Sequence, residues 1–303
     1  MTLTIDKQLS RQAFLVGLTI AISGAILFSA KAIVAKLIYR YQVDAVTLIA
    51  FRMMFSLPFF GAIALWQAKN SSPLAYPDRV KIVLLGLLGY YLSSFLDFLG
   101  LQYISAGLER LILFLTPSFV LLISALFLKK KISGLEWMAL GTSYIGTVFV
   151  FLHDVRLGGD NVVLGSAFVL GSAILYAMYL ILSGELVKRV GAIRLVAYAM
   201  CVSSAACIGQ FFLLRPVAML LQPDAVYGLS LVNAVFCTVL PVFLTMIAVS
   251  RIGAPTTSQA GMVGPVSTLF MGALFLNEPI TTIQLTGTAL VLSGIYLLSK
   301  KRT

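Results

Sequence analysis

The apolar positions of this chain run in long unbroken blocks, without the spacing of an amphipathic helix or the alternation of a half-buried strand. A block of roughly 20 residues crosses about 30 Å of hydrocarbon as a helix. Such blocks fall near 13–35, 45–66, 80–101, 107–128 and 134–152, and again near 162–182, 194–214, 226–249, 256–276 and 281–299. Gly, Pro, Asn and charged residues gather in the short stretches between them, as helix ends require. The pattern predicts an all-α integral membrane protein of ten transmembrane helices, with no separate soluble domain. The first block, about 23 residues from Ala13, is too long for the core of a cleavable signal and is expected to remain as a membrane helix.

A second regularity lies on top of the first. Sliding the chain on itself by 148 residues superposes Gly17 on Gly165, Ala25-Ile26-Leu27 on Ala173-Ile174-Leu175, Pro117 on Pro265, Ile132 on Ile280 and Gly146 on Gly294. The same shift lays the ALFL of 125–128 on the ALFL of 273–276. One residue less aligns VDAVTLIAF (43–51) with VGAIRLVAY (190–198). The chain therefore reads as a tandem repeat, residues 1–152 and 153–303, of five spans each. Because five is odd, the second copy must thread the membrane in the opposite sense, which predicts two inverted five-helix repeats.

Composition supports lipid as the solvent. Hydrophobic residues make up 60% of the chain and charged residues 11%, against roughly 45–50% and about 25% in soluble domains; mean hydropathy is +1.00. The net charge of +11 must then sit in loops. With the N-terminus in the cytoplasm, 15 of the 22 Lys and Arg fall in cytoplasmic segments, and only Lys36, Arg40, Arg156 and Arg215 fall outside. That bias places both termini inside. It also explains why Lys129, Lys130 and Lys131 of the first copy become Asn277, Glu278 and Pro279 in the second: an inverted copy turns the same loop outward. No basic polar face suits nucleic acid, and GxxxxGK and GxGxxG are absent. His153 is the sole histidine, while Cys201, Cys207 and Cys237 lie within apolar runs as inert thiols, so no metal site or cofactor is expected.

The segments LFLNEPITTIQLTGTALVLSGIYLL (274–298) and ILFLTPSFVLLISALFLKKKISGLEWMALGTSYIGTVFVF (112–151) resemble the two EamA-type repeats of the drug/metabolite transporter superfamily. The marks are Pro117 and Pro265, the F-L-x-E-P turn at Phe275–Pro279, and the glycine near the end of each copy; lysine replaces the acidic turn residue in copy one. The resemblance spans nearly the whole chain. It implies ten helices in an inverted repeat and export of small metabolites or drugs across a bacterial inner membrane, without naming the substrate.

Several polar residues interrupt the apolar blocks. At 1.5 Å per residue, Arg52 lies roughly 5 Å, Lys31 and Asp97 about 9 Å, and Glu109 and Arg110 about 10–12 Å from mid-span toward the outer side. A charge near the bilayer centre costs about 2.5–3.5 kcal/mol on insertion scales, so these residues should pair or line water. Three positive charges against two negative leave one to meet an anionic group of a substrate. The other reading is that Lys31 and Arg110 reach out to the interface while Arg52 and Asp97 form a structural pair. None recurs in copy two, where Lys31 aligns with Tyr179, Arg52 with Ala199 or Met200 and Asp97 with Thr245.

Ser172, Tyr176, Tyr179 and Ser183 recur at helical spacing on span six and are expected to face the charges, as are Tyr90 and Ser94 with Asp97 on span three. Interfacial tyrosines are an equal alternative. Asn233 and Gln259 are further inward candidates, and Pro117 and Pro265 are expected to kink spans four and nine. Small residues every fourth position, Gly17 to Ser29 and Thr256 to Gly272, suit close helix packing.

These readings point to a secondary transporter that exports a small amphipathic metabolite, amino-acid-like or drug-like, by alternating access. If protons drive it, Asp97 or Glu109 is the acid that cycles. The rivals are a passive channel and a membrane-embedded enzyme acting on a lipid-linked substrate. The latter would need a metal cluster or a nucleophile with its base, and His153 at a span edge supplies neither.

Overall fold

A computed structural model describes residues 2–127, 133–158, 160–261 and 263–300, all in helices and short connections with no strand among them. The lysines 129–131 lie outside the described residues. Eight described helical stretches are long and apolar enough to cross a membrane: Gln12–Tyr39, Ala45–Asn70, Tyr76–Leu101, Ala106–Phe127, Trp137–Arg156, Asn161–Gly184, Ala192–Leu214 and Asp224–Thr245. Ten were expected. The difference lies at the C-terminal end, where the predicted ninth span is interrupted after Ala260 and resumes as the short apolar stretch Val263–Leu276. The predicted tenth falls within the 19-residue helix Thr282–Lys300.

The helices are α1 (Thr2–Tyr39), α2 (Ala45–Asn70), α3 (Tyr76–Gly86), α4 (Ser93–Leu101), α5 (Ala106–Leu113), α6 (Thr116–Phe127) and α7 (Gly134–Gly158), then α8 (Asp160–Val190), α9 (Ala192–Leu214), α10 (Asp224–Ala234), α11 (Leu240–Ala260), α12 (Val263–Met271) and α13 (Thr282–Lys300). Local sequence explains several boundaries. Asp44 caps α2 by accepting from the Val46 and Thr47 amides, and Ser105 caps α5 by accepting from Leu108. At the place matching Ser105, the second copy has Gly253, which has no side chain to cap a new helix. The turn expected at 250–255 is accordingly absent, and α11 runs straight through it.

The two prolines do not kink continuous helices. Pro117 is the second residue of α6 and Pro265 the third of α12. In a first turn the missing N–H has no intrahelical partner to lose. Each span is broken before its proline instead.

The copies repeat each other in detail. A π-helical turn at Leu87–Leu92 separates α3 from α4, and another at Val235–Val239, 148 residues later, separates α10 from α11. Packing between copies is reciprocal. A Cβ on Gly17 would lie 2.5 Å from the Ile252 side chain and 3.2 Å from Arg251; one on Gly165 would lie 2.7 and 2.8 Å from Tyr103 and Ile104, the same pair one repeat earlier. Between α7 and α13, a Cβ on Gly146 would lie 2.6 Å from the Gly287 carbonyl oxygen, and one on Gly294 equally 2.6 Å from that of Ala139, the residue matching Gly287. These glycines let backbones meet where lipid offers no hydrophobic drive to bring helices together. α1 packs on α11 and α12 of the second copy, and α8 on α4 and α6 of the first. The largest buried cluster joins both copies, with Phe51, Met53, Phe60 and Phe98 beside Met200, Cys207, Val226 and Val239. Large apolar side chains such as Leu65, Trp66, Leu126, Leu213 and Leu274 are left facing outward.

Candidate functional site

α1, α4 and α5 bring Lys31, Asp97 and Glu109 together inside the protein. The Lys31 ammonium donates to Asp97 Oδ2 and lies 3.4 Å from Glu109 Oε1. Their exposures are 4%, 4% and 0%. Aromatic faces complete the ammonium's surroundings, with Nζ 5.4 Å from the ring centres of both Phe28 and Phe98. Among the described residues, neither Glu109 oxygen nor Asp97 Oδ1 receives a hydrogen bond. One cation therefore serves two carboxylates, and Asp97 holds it more closely.

Arg110, on the same short helix as Glu109, points across to α1. Its Nη2 donates to Ser29 Oγ at 2.8 Å, and its guanidinium lies 5.0 Å over Phe28 and 5.6 Å over Phe114. Gly264 of α12 makes room: a Cβ there would sit 3.0 Å from Arg110 Nη2. Lys31 and Arg110 are thus inside, with no reach to an interface.

Arg52, from α2, does not pair with Asp97. Its Nε donates to Thr238 Oγ1 at 2.8 Å, its plane covers Phe98 at 5.0 Å, and Nη1 has no partner. Thr238 passes the interaction on by donating to the Asn233 carbonyl at 3.0 Å, a bond made available by the π-helical turn Val235–Val239. The Asn233 side chain is fully buried, and neither its oxygen nor its nitrogen is hydrogen-bonded.

The tyrosines form a separate group. Tyr179 OH donates to Tyr90 OH at 3.2 Å, the two rings meet edge to face at 5.0 Å, and Tyr176 stacks on Tyr179 at 5.6 Å. Among the described residues no hydrogen bond or ion pair joins them to the charges they were expected to face. Tyr90 precedes Asp97 by two helical turns, about 10 Å along the span. Gly89 admits Tyr179 against the backbone, since a Cβ there would overlap the ring. Ser93, between the groups, bonds Ser172 side chain to side chain at 3.0 Å. The side chain of Gln259 lies outside the described residues.

Ser29, Phe28, Phe98 and Thr238 were not singled out from sequence. Phe28 and Phe98 had a legible signal, three residues before Lys31 and next to Asp97. Ser29 ends a stripe of small residues that suggested packing alone. Thr238 could be found only from the fold, because its partner lies 186 residues away. Among the described residues no group of His, Cys, Asp or Glu could hold a metal ion.

Apolar helices in two matching halves, with charges buried among them, define a multi-pass membrane protein. The EamA-like transporter family matches the chain twice, over residues 15–152 and 163–300, and the protein belongs to it. The matches are displaced by the same 148 residues as the internal repeat. The uncharacterized transporter YcbK of Bacillus subtilis (strain 168) is 33% identical over 276 residues, covering 87% of this chain and 86% of that protein. An uncharacterized transporter of Archaeoglobus fulgidus is 27% identical over 240 residues, 76% and 80% of the two chains. A solved crystal structure shares the fold at a TM-score of 0.66 with 14% identity, covering 93% of this chain and 96% of that one.

Proposed function

We propose that this EamA-family protein is a secondary transporter that exports a small amphipathic metabolite across a bacterial inner membrane by alternating access. In this reading ten helices form two inverted copies, residues 1–152 and 153–303, with both termini in the cytoplasm. The Lys31, Asp97 and Glu109 group carries the proposal. Charges buried at this depth cost stability unless they are used or fully paired, and here two carboxylates compete for one ammonium.

The same arrangement provides a coupling device. With Lys31 held by Asp97, Glu109 receives no hydrogen bond and is the carboxyl best placed to take up a proton. Proton loss at Glu109 would draw Lys31 away from Asp97, moving α1 and α5 relative to α4. Tyr90, Tyr176 and Tyr179 close the path on the cytoplasmic side of this group.

The test begins with a comparison of metabolites inside and outside cells with and without the gene, to supply a labelled substrate. Saturable uptake of it into proteoliposomes, driven by a pH gradient, is expected; flux without saturation would instead mark a channel. Gradient-driven uptake by an Asp97→Asn, Glu109→Gln protein equal to the parent would sink the coupling role. Cysteines placed at positions 130 and 278 should react with an impermeant thiol reagent from opposite faces, and reaction from one face would refute the inversion.

A further inference from the structure

Arg52 and Asn233 are not explained by the coupling group. Lys31 is compensated by two carboxylates, and Arg110 lies between two rings with a bond to Ser29, its Nε unbonded among the described residues. Arg52 has only a neutral threonine, an aromatic face and an unpartnered Nη1, although it is 6% exposed. One turn of π-helix before Thr238, Asn233 buries a whole amide with nothing bonded to it. Arg52 is linked through the Thr238 hydroxyl to the Asn233 backbone carbonyl, and both Arg52 Nη1 and the Asn233 amide lack a partner among the described residues, which points to a missing one. Of the four buried cations Lys31, Arg52, Arg110 and Arg194, only Lys31 lies within ion-pair distance of a carboxylate among the described residues, so the charge of Arg52 is uncompensated.

The face carrying the α1–α2 turn is open above α10. An open depression of about 540 Å³ is lined by Leu37, Arg40, Tyr41, Ala225 and Leu229. Ala225, Leu229 and Asn233 follow one another at four-residue spacing on a single face of α10, which sets Asn233 about 6 Å beneath Leu229. Arg40 stands at the rim, tied to the Leu276 carbonyl at 3.1 Å. The walls around Arg52 are apolar, with Phe51, Phe98 and Val239 in one cluster.

We propose that this depression leads to a subsite for an organic monoanion, a carboxylate with an apolar body, held by Arg52 Nη1 and the Asn233 amide beneath Leu229. A guanidinium edge with an adjacent amide suits the two oxygens of a carboxylate. The single guanidinium of Arg52 matches one negative charge, so a monoanion is expected to bind ahead of a dianion such as sulfate. The proposal refines the transport reading by giving the substrate's chemistry, but its test needs no transport.

The experiment measures thermal unfolding of the purified full-length protein with sodium benzoate, benzamide, sodium sulfate or sodium chloride. Benzoate at a hundredfold excess over its dissociation constant is expected to raise the midpoint by about 5 °C. Benzamide, sulfate and chloride should not. Asn233→Leu, which removes an unbonded amide, should fold at least as well as the parent yet lose the benzoate shift. Leu229→Trp, which fills the depression, should lose it too. Arg52→Gln should lose it, and if that variant does not fold, the other two decide. Equal shifts with benzamide or chloride, no shift with benzoate, or a shift retained by Asn233→Leu would each overturn the subsite. Benzoate binding without saturable flux would instead refute transport while leaving the subsite intact.

Discussion

Replacing Lys31 by methionine removes the one cation that, among the described residues, touches both Asp97 and Glu109. At an effective dielectric constant of about 20, the 3.4 Å separation from Glu109 alone corresponds to about 5 kcal/mol of gross attraction. Losing one partner of a buried ion pair typically costs about 3–5 kcal/mol, because the survivor stays desolvated. For a chain of this size that is a fall of about 5–8 °C in unfolding midpoint. The assay is thermal unfolding in detergent followed with a thiol-reactive dye, since Cys207 and Cys237 are buried until the helices separate; a Cys201→Ala background removes the partly exposed thiol. Lys31→Met combined with Asp97→Leu should regain part of the lost stability, as apolar replacement of a buried pair is often neutral, while Glu109 stays without its cation. Glu109→Gln alone should lower the midpoint far less than Lys31→Met, because the Lys31–Asp97 contact survives. A fall under 2 °C for Lys31→Met, or a double variant no better than the single, would refute the reasoning.

Gly146→Ala should destabilise by about 1–3 kcal/mol, because its Cβ would press to 2.6 Å on the Gly287 carbonyl, whereas Gly141→Ala, in open space on the same helix, should be neutral or stabilising; thermal midpoints of the pair distinguish them. Thr238→Val leaves Arg52 Nε without its acceptor and should cost about 1–3 kcal/mol by the same assay. At the α2 cap, burial pushes the Asp44 carboxyl up, but the Thr47 hydroxyl and amide and the Arg215 guanidinium outweigh it and hold it below its ordinary 3.8. A depressed carboxyl stabilises the folded state above that value and loses the effect as pH falls through its folded pKa. Asp44→Asn should therefore lose less stability than the parent on acidification below about pH 4.

The spans and the repeat are legible because lipid makes strong demands on sequence. Every residue of a crossing helix must tolerate hydrocarbon or face protein, and copies of one fold keep glycines where backbones touch, as at Gly146 and Gly294. Breaks within spans are less legible. Pro117 reads as a kink from composition alone, yet the turn at Phe114–Leu115 precedes it and the proline merely opens α6. The absence of a cap at Gly253 decides whether a helix ends there, which charge counting cannot register. Within the site, depth along each span foretells that Lys31, Asp97, Glu109 and Arg110 share a level. Which acid meets which base depends on how α1, α4 and α5 are rotated, and Arg52 turns instead to Thr238 on the other copy. The tyrosines mislead for the same reason: spacing on one helix shows a shared stripe but not its neighbour.

The reciprocal seam of Gly146 with Gly287 and Gly294 with Ala139 is the kind two identical subunits make across a dyad. A true homodimer must duplicate every side chain about its axis, so a lysine in one subunit brings a second lysine, and any surplus charge is doubled. Joining the halves in one polypeptide lifts that obligation. Lys31 can then stand where its twin position holds Tyr179, an ion in one half answering to an aromatic ring in the other, over glycine contacts that the two halves share.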